Sequence, residues 1–374
     1  MGRPTKAQIS LEALTHNWSL FNNQKDAQSF IIPVLKANAY GHGAVPLALH
    51  LQQNAGIKSC AVALIEEAIE LRNAGFQQEI FLLGPFLKTQ IKELIEFKIT
   101  PFICNKNGLQ NLVTTSEHIH FPVPIHLKID TGMNRLGVKE EELDEIISIL
   151  ELNKKIVHLE GLCSHFLNGE NLGSPQGSSE EQFLLFSKLV QKFQSFKNLK
   201  IHMANSDGFL RNTDCHRLPT YYGSRIGLAL YGYSSLDKGL ALKLKPVMTL
   251  TSTIVHINQV KKGETVSYNG TWKAPVDSTI AVIPIGYADG YRRLLSNKGR
   301  VLVRGQIVNV VGTVCMDYFM IDVTQLNHQT KINLGEEVEL WGPNINLKQL
   351  ASSIETIPYE LLTTLSSRVP RIYL

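Results

Sequence analysis

The stretch FIIPVLKANAYGHG, residues 30–43, decides how this chain is read. It opens with an unbroken apolar run, reaches a lysine at Lys36, and closes on Gly41 and Gly43. An apolar run without polar alternation suits a strand covered on both faces, as in a parallel sheet packed between helices. Seven more runs of this kind follow: CAVAL (60–64), IFLLG (80–84), ITPFIC (99–104), IHLKID (125–130), LEGLCSHF (159–166), IHMANS (201–206) and RIGLALYG (225–232). Between most of them lie helical patterns. EEAIELRNAG (66–75) places apolar residues at helical spacing and ends on a glycine stop. KEELDEIISIL (139–149) begins with acids, which complement a helix N-terminus. EEQFLLFSKLVQKF (180–193) is amphipathic at the helical period. Eight strand–helix alternations over ~230 residues match a closed (β/α)8 barrel in number and size. An open, doubly wound sheet uses the same alternation and stands as the alternative.

Past residue 240 or so the texture changes. TLTSTIVHINQV (249–260), STIAVIPIG (278–286), RVLVRGQIVNVVG (300–312), FMIDVT (319–324) and EVELWG (337–342) are β-branched runs separated by Gly, Asn and Lys turns. They predict an all-β second domain. LKLKPV (242–247) marks the boundary, with Pro246 as punctuation. The expected fold class is α/β: an N-terminal (β/α)8 TIM-like barrel over residues 1–240 and a C-terminal all-β domain over 241–374. The first ten or so residues are also able to join the β domain.

A chain of 374 residues with 44% apolar and 19% charged residues fits two globular domains with large cores. The net charge of +4 is small and spread along the chain, so there is no basic stripe of the kind nucleic acid requires. The start, MGRPTKAQISLEAL, has no apolar h-region, so no secretory leader is expected. No run approaches the ~18 apolar residues of a membrane span. The five cysteines (Cys60, Cys104, Cys163, Cys215 and Cys315) are scattered, with no CxxC pair, which points to reduced thiols in a cytoplasmic protein.

Barrel enzymes carry their chemistry at the C-terminal ends of the strands. Lys36 closes the first run there. A lysine ending an apolar strand either has chemical work, such as forming a Schiff base, or is an ordinary lysine pointing into a polar mouth. Position alone leaves both readings open.

The motif VLKANAYGHG (34–43) resembles the cofactor-lysine motif of alanine racemases, and the resemblance runs the length of the chain. It takes in RPTKAQISLEALTHN (3–17), HLKIDTGMNRLG (126–137), EGLCSHF (160–166), HMANS (202–206) and RIGLALYG (225–232). It continues through LKPVMTL (244–250), GETVSYNGTW (263–272), IPIGYADGYRR (283–293), VVGTVCMDYFMIDVT (310–324) and RVPRIY (368–373). The resemblance implies a pyridoxal phosphate (PLP) enzyme that interconverts L- and D-alanine and supplies D-alanine for peptidoglycan. It also implies a homodimer with shared active sites, and neither a metal nor a membrane.

Carried over position by position, Lys36 holds PLP as an internal aldimine and serves as one catalytic base. Asn205, Ser206, Gly227 and Leu228 end the seventh and eighth runs, where barrels commonly bind phosphate. There the Ser206 hydroxyl and backbone N–H groups would bind the cofactor phosphate, joined by Tyr40 and Tyr359. Arg225 matches the arginine that faces the pyridine nitrogen. Guanidinium stays protonated, so the ring remains a weaker electron sink. Tyr268 matches the second base, placed on the opposite face of the substrate carbon. His165, expected at the end of the sixth strand, links Tyr268 to Arg225 and so draws the phenol toward its anion.

In the family the counterpart of Tyr268 reaches into the barrel of the other subunit. Arg135 matches a contact to the cofactor phenolic oxygen and the substrate carboxylate. Lys128 matches a lysine often carbamylated, which would orient Arg135. Met316 matches the residue whose backbone N–H binds the substrate carboxylate, its neighbours Cys315 and Asp317 match too, and Tyr287 matches an entrance tyrosine.

Three places depart from the family pattern. Asn269 stands where glycine usually follows the catalytic tyrosine. Asp207 follows AlaAsnSer where a small apolar residue is usual, adding negative charge near the expected phosphate site. LNGENLGSPQGSS (167–179) reads as a surface loop. Rival readings are a broad-specificity or serine racemase, a PLP decarboxylase, or a non-catalytic PLP carrier. Arg225 stands against the decarboxylase, and the β domain with Tyr268 and Met316 against the carrier.

Overall fold

The computed structural model describes residues 3–25, 29–116, 121–169, 178–211, 222–236 and 243–374. Cys215, residues 170–177 of the expected loop, and the expected boundary at 240/241 lie outside them.

The chain opens with a short strand, β1 (Lys6–Ile9). The eight apolar runs then form the strands β2 (Phe30–Pro33), β3 (Ser59–Val62), β4 (Glu79–Leu82) and β5 (Ile99–Ile103), followed by β6 (Val123–Lys128), β7 (Val157–Cys163), β8 (Lys200–Ala204) and β9 (Tyr222–Ile226). All neighbours are parallel, in the order β2-β9-β8-β7-β6-β5-β4-β3. The two ends meet through a parallel bridge between Val34 and Ala61, reinforced by Leu35 N–H donating to Ala61 O at 2.8 Å. The sheet is therefore a closed barrel rather than an open one. Its strands are buried almost throughout, β5 completely, as continuous apolar runs demand.

Three expected ends move. β2 stops at Pro33, so Lys36 lies beyond the strand, in a turn. β7 stops at Cys163, two residues before His165. RIGLALYG is a strand only to Ile226 and then a 3-10 turn, Leu228–Tyr231. In each case the last residues of the run leave the ladder so that side chains and N–H groups can face the barrel mouth.

The second half is built on β10 (Met248–Thr253), β11 (His256–Val260), β12 (Thr265–Val266), β13 (Trp272–Lys273) and β14 (Ser278–Ile283). It continues with β15 (Arg300–Val303), β16 (Gln306–Val311), β17 (Phe319–Asp322), β18 (Glu337–Trp341) and β19 (Arg371–Tyr373). One nine-stranded sheet runs β11-β14-β17-β16-β15-β18-β10-β1-β19. β1 pairs antiparallel with β10 and parallel with β19, so the first strand of the chain belongs to this sheet. The β domain also holds short helices that its strand pattern did not announce, Leu347–Ser352 and Pro358–Thr363. One apolar core continues from the barrel into the β domain. Among the described residues no helix is long and apolar enough to cross a membrane.

Candidate active site

The lysine turn is the most unusual backbone in the chain. Ala37, Asn38, Ala39 and Tyr40 all have φ of +52 or +53°, a left-handed turn. For residues with a Cβ this conformation costs roughly 1–2 kcal/mol each. Surrounding contacts hold it. Ala37 N–H donates to Glu67 Oε1 at 2.5 Å, and Ala44 N–H to Asn38 Oδ1 at 2.7 Å. Buried His42 donates from Nδ1 to the carbonyls of Ala39 and Tyr40, at 2.9 and 3.0 Å. The C-terminal segment closes over the turn, with Arg371 Nε donating to Gly41 O at 3.0 Å. Gly41 itself is at φ +80°, and a Cβ there would stand 2.2 Å from Leu362 O. Local strain of this kind gathers at functional sites.

The turn places Lys36 in a cationic, half-buried mouth. Burial lowers its pKa, as do the charges of Arg135, Arg225 and Lys128, with Glu67 opposing. Lys128 is lowered in the same way, by burial first and then by Arg225 and Arg135 against the pull of Cys163 and Cys104. Both amines are thereby moved toward their neutral, nucleophilic form.

Arg225 is buried, and its hydrogen-bond partners among the described residues are all uncharged acceptors. Nη1 donates to His202 Nδ1 at 2.6 Å; Nη2 donates to Ser164 O at 2.7 Å and His165 Nδ1 at 2.9 Å. Because a guanidinium only donates, His165 must accept at Nδ1 and carry its proton on Nε2. Burial and the Arg225 charge push the pKa of His165 well below its usual value.

At the ends of β8 and β9, Ser206 Oγ accepts from Gly227 N–H at 3.0 Å and Ala229 N–H at 3.4 Å. Asn205 caps the turn, accepting from Gly208 N–H at 2.9 Å. Gly227 lies beneath the Tyr40 hydroxyl, only 2.5 Å from where a Cβ would be. The Tyr40 ring packs on Tyr231 and Tyr359, with centroids 4.8 and 5.6 Å away. Hydroxyls and N–H groups thus converge on a small cradle suited to an anion. Asp207 does not stand free in it: Ser234 Oγ donates to its carboxylate at 2.7 Å, and Ser235 also donates. The loop bearing Arg135 is held by Asp130, which accepts from Lys139 Nζ at 2.8 Å and from the N–H groups of Gly132 and Asn134.

The remaining expected residues gather elsewhere, on the β domain. Tyr268 is 68% exposed, Met316 52% and Tyr287 44%. The pocket beside Tyr268 is lined only by β-domain residues, among them Val266, Ile280, Cys315 and Met320. Among the described residues no hydrogen bond joins Tyr268 to Lys36, His165 or Arg225 of its own chain. The three segments are nevertheless fixed to one another. Thr313 Oγ1 donates to Tyr268 O at 2.9 Å, Ser267 Oγ to Thr313 O at 2.6 Å, and Tyr287 N–H to Cys315 O at 3.0 Å. Asn269 takes φ +63°, the left-handed conformation Asn tolerates better than most residues. The expected site residues therefore fall into two separate groups on this chain, one at the barrel mouth and one on the β domain.

Glu67, His42, Arg371 and His202 carry no role in the sequence reading. His202 lies inside the HMANS run, but its contact across the barrel to Arg225 left no local signal. Glu67 and Arg371 act across long sequence separations and left no local signal. Among the described residues one cluster has metal-ligand composition, Glu79, His126 and Glu160, with ligand atoms within 4.8 Å. A cation already serves it: Lys200 Nζ lies 3.0 Å from Glu79 and 3.5 Å from Glu160.

A strained lysine turn, a buried arginine and an anion cradle at the mouth of a barrel, with a β domain attached, define a lysine-centred α/β-barrel enzyme. Comparison with known proteins makes this particular. The family described as "Alanine racemase, N-terminal domain" matches residues 9–235, and "Alanine racemase, C-terminal domain" matches residues 247–373. Alanine racemase 1 of Clostridium acetobutylicum is 35% identical, over 100% of this chain and 96% of its own length. The solved alanine racemase of Clostridium difficile 630 superposes with a TM-score of 0.90 at 33% identity, covering 100% of this chain and 96% of that one. The alanine racemase of Bartonella henselae, solved with covalently bound pyridoxal phosphate, gives 0.90 at 31% identity and 99% coverage of both chains. This chain belongs to the alanine racemase family.

Proposed function

We propose that this chain interconverts L- and D-alanine with PLP as cofactor, in a homodimer whose active sites are each completed by both subunits. The observation that carries this reading is the Lys36 amine, held below its ordinary pKa in a mouth where Arg225 meets only neutral partners.

The residues fit PLP. Lys36 Nζ suits the aldehyde carbon, and the Ser206 hydroxyl, the N–H groups near Gly227 and Leu228, Tyr40 and Tyr359 suit the phosphate. Arg225 suits the pyridine nitrogen. The cationic surplus of Lys36, Lys128, Arg135 and Arg225 against Glu67 suits a cofactor and a substrate that both carry negative charge. When bound, PLP makes the Cα–H bond of an amino acid acidic by drawing electrons toward its ring.

The chain's own groups then move the protons. Lys36 Nζ removes or delivers a proton on one face of Cα, and the partner's Tyr268 hydroxyl does the converse on the other, so the proton delivered is never the one removed. His165, neutral and with its proton on Nε2, is able to donate a hydrogen bond that stabilises a Tyr268 phenolate. Arg135 and the Met316 N–H orient the carboxylate, and Tyr287 narrows the way in. Lys128, with its amine biased toward the neutral form, is a candidate for carbamylation, which would turn a repulsive neighbour of Arg135 into an attractive one. A carbamate resonance after exposure to isotope-labelled bicarbonate, absent in Lys128→Ala, checks this. A cytoplasmic location and supply of D-alanine for peptidoglycan complete the proposal.

The test is to incubate the purified, PLP-loaded protein with L-alanine and a panel of other L-amino acids and separate products by chiral chromatography. D-alanine as the dominant product supports the reading. Optically unchanged alanine, or a marked preference for serine, overturns it. Lys36→Ala should also lose the visible absorbance band of the covalently held cofactor.

A further inference from the structure

Below the active site, the barrel interior holds a line of polar groups that the reaction outlined above does not use. From Arg225 Nη1 it passes to His202 Nδ1 at 2.6 Å, and from His202 Nε2 to His126 Nδ1 at 2.8 Å. Both imidazoles are fully buried. They stand among phenylalanines, with Phe102 stacked on His126 at 5.4 Å and 2° between planes, and Phe81 edge-on at 4.8 Å.

The direction of every proton along this line is determined from one end. Arg225 has donors only, so His202 accepts at Nδ1. Burial and the Arg225 charge keep His202 neutral, and burial with Lys200 and Arg225 lowers His126 to about 3. A neutral His202 accepting at Nδ1 carries its hydrogen on Nε2 and donates it to His126 Nδ1. His126 in turn carries its hydrogen on Nε2. That nitrogen is buried and meets no hydrogen-bond partner in the described structure. It is a donor, and so no metal ligand. A ring nitrogen of His126 lies within 4.8 Å of carboxylate oxygens of Glu79 and Glu160, a separation of the size that a water-mediated hydrogen bond covers.

Charge points the same way. Among the described residues Arg225 has no carboxylate partner, and an uncompensated buried charge is costly. The floor of the barrel gathers Glu79 and Glu160 about the ammonium of Lys200, which opposes the burial and the Glu160 neighbour that raise the Glu79 pKa. We propose that His126, backed by Glu79 and Glu160, is a positioning residue for Arg225: the floor carboxylates polarise His126 and His202 in series, and this holds the guanidinium in place beneath the cofactor ring. The proposal deepens the reading of Arg225 given above and rests on it for its consequence in the reaction, though not for the proton arrangement itself.

The test is nuclear magnetic resonance of the PLP-loaded protein labelled at histidine nitrogens, between about pH 6 and 9. The expected result is two buried, neutral imidazoles, His126 and His202, both with hydrogen on Nε2 throughout. Glu79→Gln with Glu160→Gln should move the His126 N–H signal strongly and the His202 signal less. His126→Phe, which keeps the aromatic packing, should shift the His202 signal. It should also raise the fraction of turnovers lost to transamination by about fivefold, the weight of one neutral hydrogen bond of ~1 kcal/mol. His126→Gln, which keeps an acceptor and a donor, should restore most of this loss. An Nδ1-protonated or charged imidazole at either position overturns the relay, as does a His202 signal indifferent to His126→Phe. These outcomes are separate from racemase activity. A protein inert toward alanine that shows both Nε2–H tautomers keeps the relay and loses the racemase reading, while an active racemase with the opposite tautomers loses the relay alone.

Discussion

Arg225 and Tyr268 show how differently two side chains of one reaction are placed. Arg225 is fully enclosed, with its donors spent on His202, His165 and Ser164. Tyr268 stands two-thirds exposed, its segment pinned by Thr313 while its ring remains accessible. Such exposure is what the proposed reach of Tyr268 into a partner subunit requires. Tyr268→Phe should keep PLP, because no cofactor contact is lost, and should slow proton removal from L-alanine by about 10²–10⁴-fold, the usual weight of a positioned acid–base group. Solvent deuterium incorporation measures this, and an undiminished rate from L-alanine refutes the role. Lys36 stood out in its apolar run, though position alone left an ordinary lysine equally open and only the motif around it tipped the reading. Glu67 was not legible, because nothing near IleGluGluAla foretells that its carboxylate crosses to the Ala37 N–H.

At the scale of elements, the left-handed turn after Lys36 does the positioning, and packing rather than propensity imposes it. Its residues are Ala, Asn, Ala and Tyr, of which only Asn favours positive φ. The strain is sustained by the helix Pro358–Thr363 and by Arg371 pressing on Gly41. Gly41→Ala combines an unfavourable φ with a clash against Leu362 O, so the turn must shift. The expected outcome is a lower Tm and weaker PLP retention, read from cofactor released on dilution. A variant with unchanged Tm and retention would show that the turn has slack. The strand pattern was readable because continuous burial leaves a continuous apolar signature. The two short helices near the C-terminus were not, since six-residue helices carry too little periodicity to stand out.

For the whole molecule, two features have consequences. The first is the split site. If each active site draws on both subunits, mixing inactive Lys36→Ala with inactive Tyr268→Phe under exchange conditions should restore activity, at most about a quarter of wild-type for random pairing of subunits. Absence of rescue in demonstrably mixed dimers counts against a shared site. The second is Asp289, which joins the first residues to the last. It accepts from both Nη atoms of Arg3 at 2.6 Å and lies 3.2 Å from Arg368 Nε. Burial pushes its pKa up, but Arg3, the Gly286 N–H and Arg368 outweigh this and hold it below the ordinary value. A depressed folded pKa means stability that is present above the unfolded value of ~3.9 and is lost as pH falls through the folded value. Asp289→Asn should therefore cost roughly 3 kcal/mol at neutral pH. The difference in Tm from wild-type should narrow as pH falls below ~3.9, the unfolded carboxyl value. A difference that persists undiminished in acid would assign the loss to packing instead.

From the sequence alone came the barrel, the β sheet and the residue types of the site, because burial on both faces, turn chemistry and motif order are all written locally along the chain. Tertiary structure alone decided that the barrel closes, through Val34 and Ala61. It decided that Lys36 rides a left-handed turn held from the far end of the chain, and that Tyr268, Met316 and Tyr287 gather apart from it on the β domain. The reason is physical: each of these depends on contacts between residues far apart in sequence, whose energies no local pattern records.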